Sequence, residues 1–104
     1  MRAMRSDANE NEIVRAFEKC GCSVERIRSL RGGCPDLLVG FRGRTLLVEV
    51  KVPKTGSLSE TQRKWREGWK GSKPFVIKSV DDVVSFVSLI GATGTTKAKI
   101  GGGT

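Results

Sequence analysis

GCPDLLVGFRGRTLLVEVK, residues 33–51, holds two apolar runs joined by a short glycine-containing turn. This pattern predicts a β-hairpin with a two-residue turn at positions 42–43. Counted outward from that turn, the register places Asp36 opposite Glu49 on one face of a sheet. Directly opposed side chains have Cβ atoms about 4.5–5.5 Å apart. The stretch therefore predicts two carboxylates in close contact.

The paired acids present an electrostatic problem, because like charges at opposed positions destabilise a sheet. A hard divalent cation such as Mg²⁺ or Mn²⁺, bound through oxygen ligands, would remove the repulsion. Lys51 lies on the same face one step beyond Glu49, since side chains alternate along a strand. A lysine there can position a water and offset charge that grows on a phosphate. Asp36, Glu49 and Lys51 together therefore predict hydrolysis of a phosphate ester.

The composition restricts the class of protein. The chain has 104 residues and a formal net charge of +8, which fits one small domain with a polyanionic partner such as nucleic acid. An anionic membrane surface is the alternative, although no apolar run is long enough to span a bilayer and no signal-peptide core is present. We therefore predict a cytoplasmic protein. With three Cys and no His, the sequence predicts free thiols and argues against a zinc site.

The elements around the hairpin follow the order helix, strand, strand, strand, helix, strand, helix. This order predicts an α/β domain with a central mixed four-stranded sheet flanked by helices. Both hairpin strands are apolar on both faces, so helices should cover the sheet on each side. The first helix should begin at a capping Asp7 and end at Gly21, with strands at 22–28 and 74–78.

The second helix is predicted from a capping box formed by Ser59 and Gln62, and Gly71 should end it. Trp65 and Trp69 recur at helical spacing along the same face as Gln62. This spacing favours packing of both rings in the core over stacking against nucleic-acid bases.

The third helix opens at Ser79-Val80 and carries a broad apolar stripe, which suits core packing and also a second subunit. A Gly/Thr-rich segment follows at 91–104. We expect one domain over residues 1–90 and a flexible tail beyond it.

Two motifs carry a resemblance to a known family. PD at 35–36, followed by EVK at 49–51, looks like the PD-(D/E)XK nuclease signature. GCPD at 33–36, with LS at 58–59 and Gln62, resembles the virus-type replication-repair nuclease (VRR-NUC) branch of that superfamily over residues 10–85. The resemblance implies a restriction endonuclease-like core and a metal-dependent endonuclease that acts on branched DNA, similar to archaeal Holliday junction resolvases. The short length resembles that of stand-alone phage members of the family. This resemblance implies a homodimer that acts in the host cytoplasm.

The resemblance also implies a metal site that uses Mg²⁺ or Mn²⁺. Its ligands would be Asp36, Glu49 and the backbone carbonyl of Val50. An acid of the first helix would be a further ligand, for which Glu10 matches better than Glu12.

Lys51 would be the catalytic lysine and Gln62 a polar residue of the active site. The implied catalytic set is Glu10, Asp36, Glu49, Lys51 and Gln62. The basic residues nearest in the chain are candidates for DNA contact: Arg28, Arg31, Lys54, Arg63, Lys64 and Arg66. A non-catalytic basic nucleic-acid-binding module, or a nuclease for flap DNA, linear DNA or RNA, stays open as an alternative.

Overall fold

The computed structural model describes the backbone of residues 2–53 and 56–101 and the side chains of residues 8–53 and 56–91. The four strands form one sheet in the order β1-β2-β3-β4, antiparallel except for the parallel pair of β3 and β4. The predicted α/β order and mixed four-stranded sheet are confirmed. The elements are α1 (Arg2–Lys19), β1 (Ser23–Arg26), β2 (Leu37–Phe41), β3 (Arg44–Val50), α2 (Glu60–Gly68), β4 (Phe75–Ile77) and α3 (Val80–Gly101).

The hairpin of β2 and β3 has the predicted turn and register. Arg42 and Gly43 have φ angles of 51° and 81°, and two positive φ angles are what a two-residue type I′ turn requires. Strand pairing places Leu37 opposite Val48. One further step along each strand reaches the two acids, which therefore face each other as predicted.

The core lies between one face of the sheet and the pair of helices α1 and α3. On the hairpin this face carries alternate residues that are buried, among them Leu37, Val39 and Val48. Phe17 of α1 meets Phe86 of α3 edge to face, with ring centroids 6.3 Å apart. The helices add the buried side chains Ile13, Val14, Phe17, Val83, Val87 and Ile90.

The opposite face of the sheet is only partly covered, which corrects the prediction of helices packed on both sides. Leu38 and Leu47 on this face are half-buried. The nine residues of α2 include no fully buried side chain. A short, highly charged helix offers too little apolar surface to close this side of the sheet.

The prediction that Trp65 and Trp69 belong to the core is wrong. The two rings stack on each other, with centroids 4.6 Å apart and planes 15° from parallel. Trp69 is 41% exposed. It caps α2 in an extended conformation, and its N–H donates to the carbonyl of Arg66. The helix therefore ends at Gly68, before the predicted stop at Gly71, and its last aromatic residue leaves the helical face.

The other predicted boundaries also shift. Asp7 lies inside α1, which begins at Arg2, because the preceding Arg, Ala and Met residues are good helix formers. Gly21 does end that helix, with a φ angle of 91°. The strand expected at 22–28 shortens to the four residues of β1, and the strand expected at 74–78 shortens to the three of β4.

Helix α3 continues to Gly101, although the sequence predicted a flexible tail from Gly91. Gly91 packs against the core, since a Cβ at this position would lie 3.6 Å from the ring of Phe41. Packing therefore explains this glycine better than helix termination does. The end of the domain at residue 90 stays a prediction, and residues 102–104 lie outside the described residues.

Gly33 lies where the loop before β2 packs against α2. Its φ angle is 85°, and a Cβ built there would lie 2.7 Å from the carbonyl oxygen of Thr61 and 3.0 Å from Cβ of Trp65. Gly43 in the hairpin turn has a similar φ of 81°, but a Cβ there meets nothing within 4 Å. Both glycines satisfy a left-handed backbone, and Gly33 also permits a close approach.

We predict that Gly33→Ala destabilises the protein more than Gly43→Ala. Both substitutions impose the strain of a left-handed alanine, about 1–2 kcal/mol, and only Gly33→Ala also forces α2 away from the loop. Urea denaturation should show the difference as a lower transition midpoint for Gly33→Ala. Equal midpoints would contradict the close packing of the loop on α2.

Candidate active site

A cavity of about 550 Å³ opens where α1, the ends of β2 and β3, and α2 meet. Four of the five predicted catalytic residues line it, namely Glu10, Asp36, Lys51 and Gln62. The fifth, Glu49, lies behind this lining, where it accepts a hydrogen bond from Gln62. Residues separated by more than 50 positions in the chain thus line one cavity, as the family resemblance implied.

Asp36 and Glu49 are both buried, with exposed fractions of 8% and 2%. The backbone N–H of Val50 donates to Oδ2 of Asp36 at 2.7 Å. The backbone carbonyl of Asp36 accepts from the N–H of Ile27 at 2.9 Å. These two bonds hold Asp36 at the end of β2 against β3, so its carboxylate cannot swing out to relieve the repulsion.

Burial, and after it the nearby Asp36 carboxylate, raises the pKa of the Glu49 carboxyl from its ordinary 4.5 to about 7. The cations of Lys51 and Arg66 act in the opposite direction, but more weakly than burial and Asp36 combined. Near neutral pH the Glu49 carboxyl is therefore partly protonated in the absence of another cation. A group held in this way is typical of functional sites.

Lys51, Gln62 and Glu49 form a chain of hydrogen bonds. The Lys51 ammonium donates to Oε1 of Gln62 at 2.7 Å, and Nε2 of Gln62 donates to Oε1 of Glu49 at 3.1 Å. The same Oε1 of Gln62 accepts from the backbone N–H of Ser59 at 2.9 Å, within the predicted capping box. The start of α2 therefore fixes the positions of the lysine and of one acid.

Glu10 is the acid that α1 contributes, and Glu12 is exposed on the same helix. Oε2 of Glu10 lies 2.7 Å from Nη1 of Arg26, and its Oε1 lies 3.4 Å from Nη1 of Arg28. The Arg28 guanidinium is also 4.0 Å from Oδ1 of Asp36. Arg28, a predicted DNA contact, thus bridges two acids at the edge of the cavity.

The donor set suits a small hard cation. The carboxylates of Asp36 and Glu49 are buried and mutually repulsive, and Val50 also lines the cavity. In the described part of the chain, no group of three or more His, Cys, Asp or Glu side chains could hold a metal ion. Mg²⁺ commonly binds through one or two carboxylates and keeps several waters. The pair therefore fits this ion, whereas both oxygens of Glu10 are paired with arginines.

The remaining predicted DNA contacts are spread around α2. Arg31 and Lys64 line a second cavity, and Lys64 pairs with Glu60 of its own helix at 3.8 Å. Arg63 and Arg66 line a third cavity. Lys54 lies outside the described residues.

Two contributors were missed from the sequence. The side-chain amide of Asn9 donates to the carbonyl of Lys51 at 3.1 Å and so anchors the end of β3. Nothing in the sequence distinguishes Asn9 from other polar residues of α1. Arg26 did have a signal, because it lies two positions before Arg28 in the strand predicted at 22–28, and both arginines reach the same acid.

Two further sequence predictions can be compared with the structure. The three cysteines are unpaired, as expected. Cys34 lies beside the acids, and burial together with Glu49 and Asp36 raises the pKa of its thiol. Among the described residues, no helix is long and apolar enough to cross a membrane.

We predict that Glu49→Gln stabilises the metal-free protein at pH 8. Because the folded-state pKa of Glu49 lies above its ordinary 4.5, the folded protein binds the proton more tightly, and the free energy of unfolding falls as the pH rises from 4.5 to about 7. Thermal unfolding in EDTA should show a midpoint about 4 °C or more above wild type at pH 8, since 1 kcal/mol corresponds to about 4–8 °C. The two proteins should converge at pH 5.

The matched control is Glu18→Gln, which changes an exposed acid of α1. Its difference from wild type should be the same at both pH values. A destabilised Glu49→Gln protein at pH 8 would contradict the strained acid pair.

Comparisons with known proteins agree with this geometry. A family model for the VRR-NUC domain matches residues 4–76. A solved structure described as a VRR_NUC domain has 28% sequence identity and a TM-score of 0.66, and the match covers 80% of this chain and 94% of that one. A search of curated proteins gave no match. The chain therefore belongs to the VRR-NUC family of nuclease-type domains.

Proposed function

We propose that the protein is a DNA endonuclease that hydrolyses phosphodiester bonds with Mg²⁺ or Mn²⁺ as its cofactor. One observation carries the proposal: Asp36, Glu49 and Lys51 lie close together at one cavity of a fold that belongs to a nuclease family. The net charge of +8 supports a polyanionic substrate. The catalytic set is Glu10, Asp36, Glu49, Lys51 and Gln62.

Asp36, Glu49 and the carbonyl of Val50 would hold the cation. When bound, a divalent ion polarises a phosphate oxygen and lowers the pKa of a coordinated water. Lys51 orients the attacking water and offsets the negative charge that develops on the phosphate. Gln62 keeps the Lys51 ammonium beside Glu49, since it bonds to both at 2.7 and 3.1 Å. Glu10 holds Arg28 at the edge of the cavity, where a phosphate would enter.

For the substrate, we propose branched DNA, in particular a four-way junction cleaved by a homodimer. Two copies of one active site suit the two strands that must be cut to resolve a junction. Support for a second subunit comes from apolar side chains of β4 and α3 that are partly exposed in the single chain. They are Phe75, Val76, Val80, Val84 and Leu89.

The second candidate is a basic module that binds nucleic acid without cleaving it. In such a module, Lys and Arg would bind the phosphates through their positive charge alone. The acids would then only adjust the affinity for nucleic acid. This candidate predicts salt-sensitive binding with no strand scission in any divalent ion. Nucleases for flap DNA, linear DNA or RNA differ from the first proposal only in substrate.

We predict that Lys51→Ala lowers the rate of cleavage by at least about 100-fold, the usual effect of removing one group that stabilises developing charge. Wild type should cleave junction DNA in Mg²⁺ faster than flap, duplex, single-stranded DNA or RNA of matched length. Lys19→Ala, which removes an exposed lysine of α1, should keep the wild-type rate. Gel electrophoresis of end-labelled substrates measures all of these rates.

EDTA and Glu49→Ala should each abolish cleavage, while binding of the intact junction persists. Cleavage that survives either treatment would contradict the roles given to the acids. A mass in solution of one chain rather than two would contradict the homodimer.

A further inference from the structure

The second cavity, of about 500 Å³, lies beside the active site on the partly covered face of the sheet. Its walls are mainly apolar and come from β3, α2 and the loop between β1 and β2. Leu30 of that loop is 71% exposed. The apolar side chains that line it are Ile27, Leu30, Leu47, Trp65 and Trp69.

The stacked pair of Trp65 and Trp69 supplies a flat aromatic wall. Each face of a ring can stack one aromatic partner, and the 41% exposure of Trp69 leaves part of its surface open. The site is therefore shaped for a planar group more than for a branched aliphatic side chain.

Two features connect the cavity with the active site and with a polyanion. Cys34 lines both cavities, so they share a wall. Among the described residues that line the second cavity, Arg31 and Lys64 are basic and none is acidic. A second copy of this chain would bring a further charge of +8 toward those two cations. Charge therefore favours nucleic acid over a self-contact at this surface.

We propose that this cavity, which we name the tryptophan cavity, receives an unpaired base of the DNA substrate next to the phosphate that is cleaved. The inference rests on the proposed nuclease function and adds to it a requirement for an unpaired nucleotide in the substrate. A base would stack on Trp69 while Arg31 and Lys64 contact the flanking phosphates. A base becomes available where strands separate, so the cavity selects DNA with an unpaired nucleotide near the cut.

The protein carries its own reporter for this site. The chain has two Trp and no Tyr, and both Trp line the tryptophan cavity. Fluorescence of the full-length protein excited at the Trp band is therefore specific for this surface. Titration in EDTA, where no cleavage is expected, with a single-stranded oligothymidylate should quench the emission. An oligonucleotide of the same length with abasic sites carries the same phosphates and should leave the emission largely unchanged.

Substitution of Trp69 separates stacking from apolar contact. Trp69→Leu should weaken oligothymidylate binding by at least about fivefold, and Trp69→Phe, which keeps an aromatic face, should recover most of the loss. Phe86→Leu is the matched control, because Phe86 is a half-buried aromatic residue outside the tryptophan cavity that also packs on a second ring, with its centroid 4.7 Å from that of Phe75. Phe86→Leu should leave binding unchanged.

Equal quenching by the two oligonucleotides, or equal affinity of Trp69→Leu and wild type, would overturn the proposal. It would also be overturned if Trp69→Leu turned a dimer into a monomer, since a second subunit would then cover the surface. These results come from binding and mass measurements. A failure of the hydrolysis proposal would instead appear as an absence of cleavage with base-dependent quenching intact.

Discussion

The repulsion between Asp36 and Glu49 is the constraint on which the rest of the structure depends. The two acids meet because a two-residue turn fixes the hairpin register, and a slip of one residue would send one of them to the opposite face. The buried face prevents that slip. A slip of β2 would take Leu37 and Val39 out of the core, and a slip of β3 would take Val48 out of it. The hydrophobic core on one side of the sheet therefore maintains an unfavourable charge pair on the other.

Helix α2 and the active site depend on each other. The helix has no buried side chain, so its position comes from specific polar and close-packed contacts. Gln62 closes the capping box and also joins Lys51 to Glu49. Gly33 lets the loop before β2 touch the first turn of α2. A change that displaces this helix therefore alters the lysine and the acid pair together.

The part of the fold that could be predicted is the part set by local chemistry. An Arg-Gly turn determines the hairpin register, and Ser59 with Gln62 determines the start of α2, each within a few residues. Contacts between distant segments that lie outside the family motifs were not predictable in this way. The bond from Asn9 to the carbonyl of Lys51 spans 42 positions, and the pairing of Glu10 with Arg26 depends on how α1 crosses β1. Helical spacing predicted the face of α2 that carries Trp65. It could not predict how much of the sheet this short helix covers.

The incomplete cover given by α2 has a direct structural consequence. A longer apolar helix would bury Leu38 and Leu47 and increase stability, since each buried aliphatic side chain contributes about 1.5–3 kcal/mol. It would also fill the two cavities that meet at Cys34. The domain instead leaves this face of the sheet open and places its acids, its lysine and both tryptophans there. Where the pattern of apolar residues failed to predict burial, the structure has two cavities that meet at Cys34. The incomplete packing is what leaves Asp36 and Lys51 on the wall of a cavity that the proposed substrate could enter.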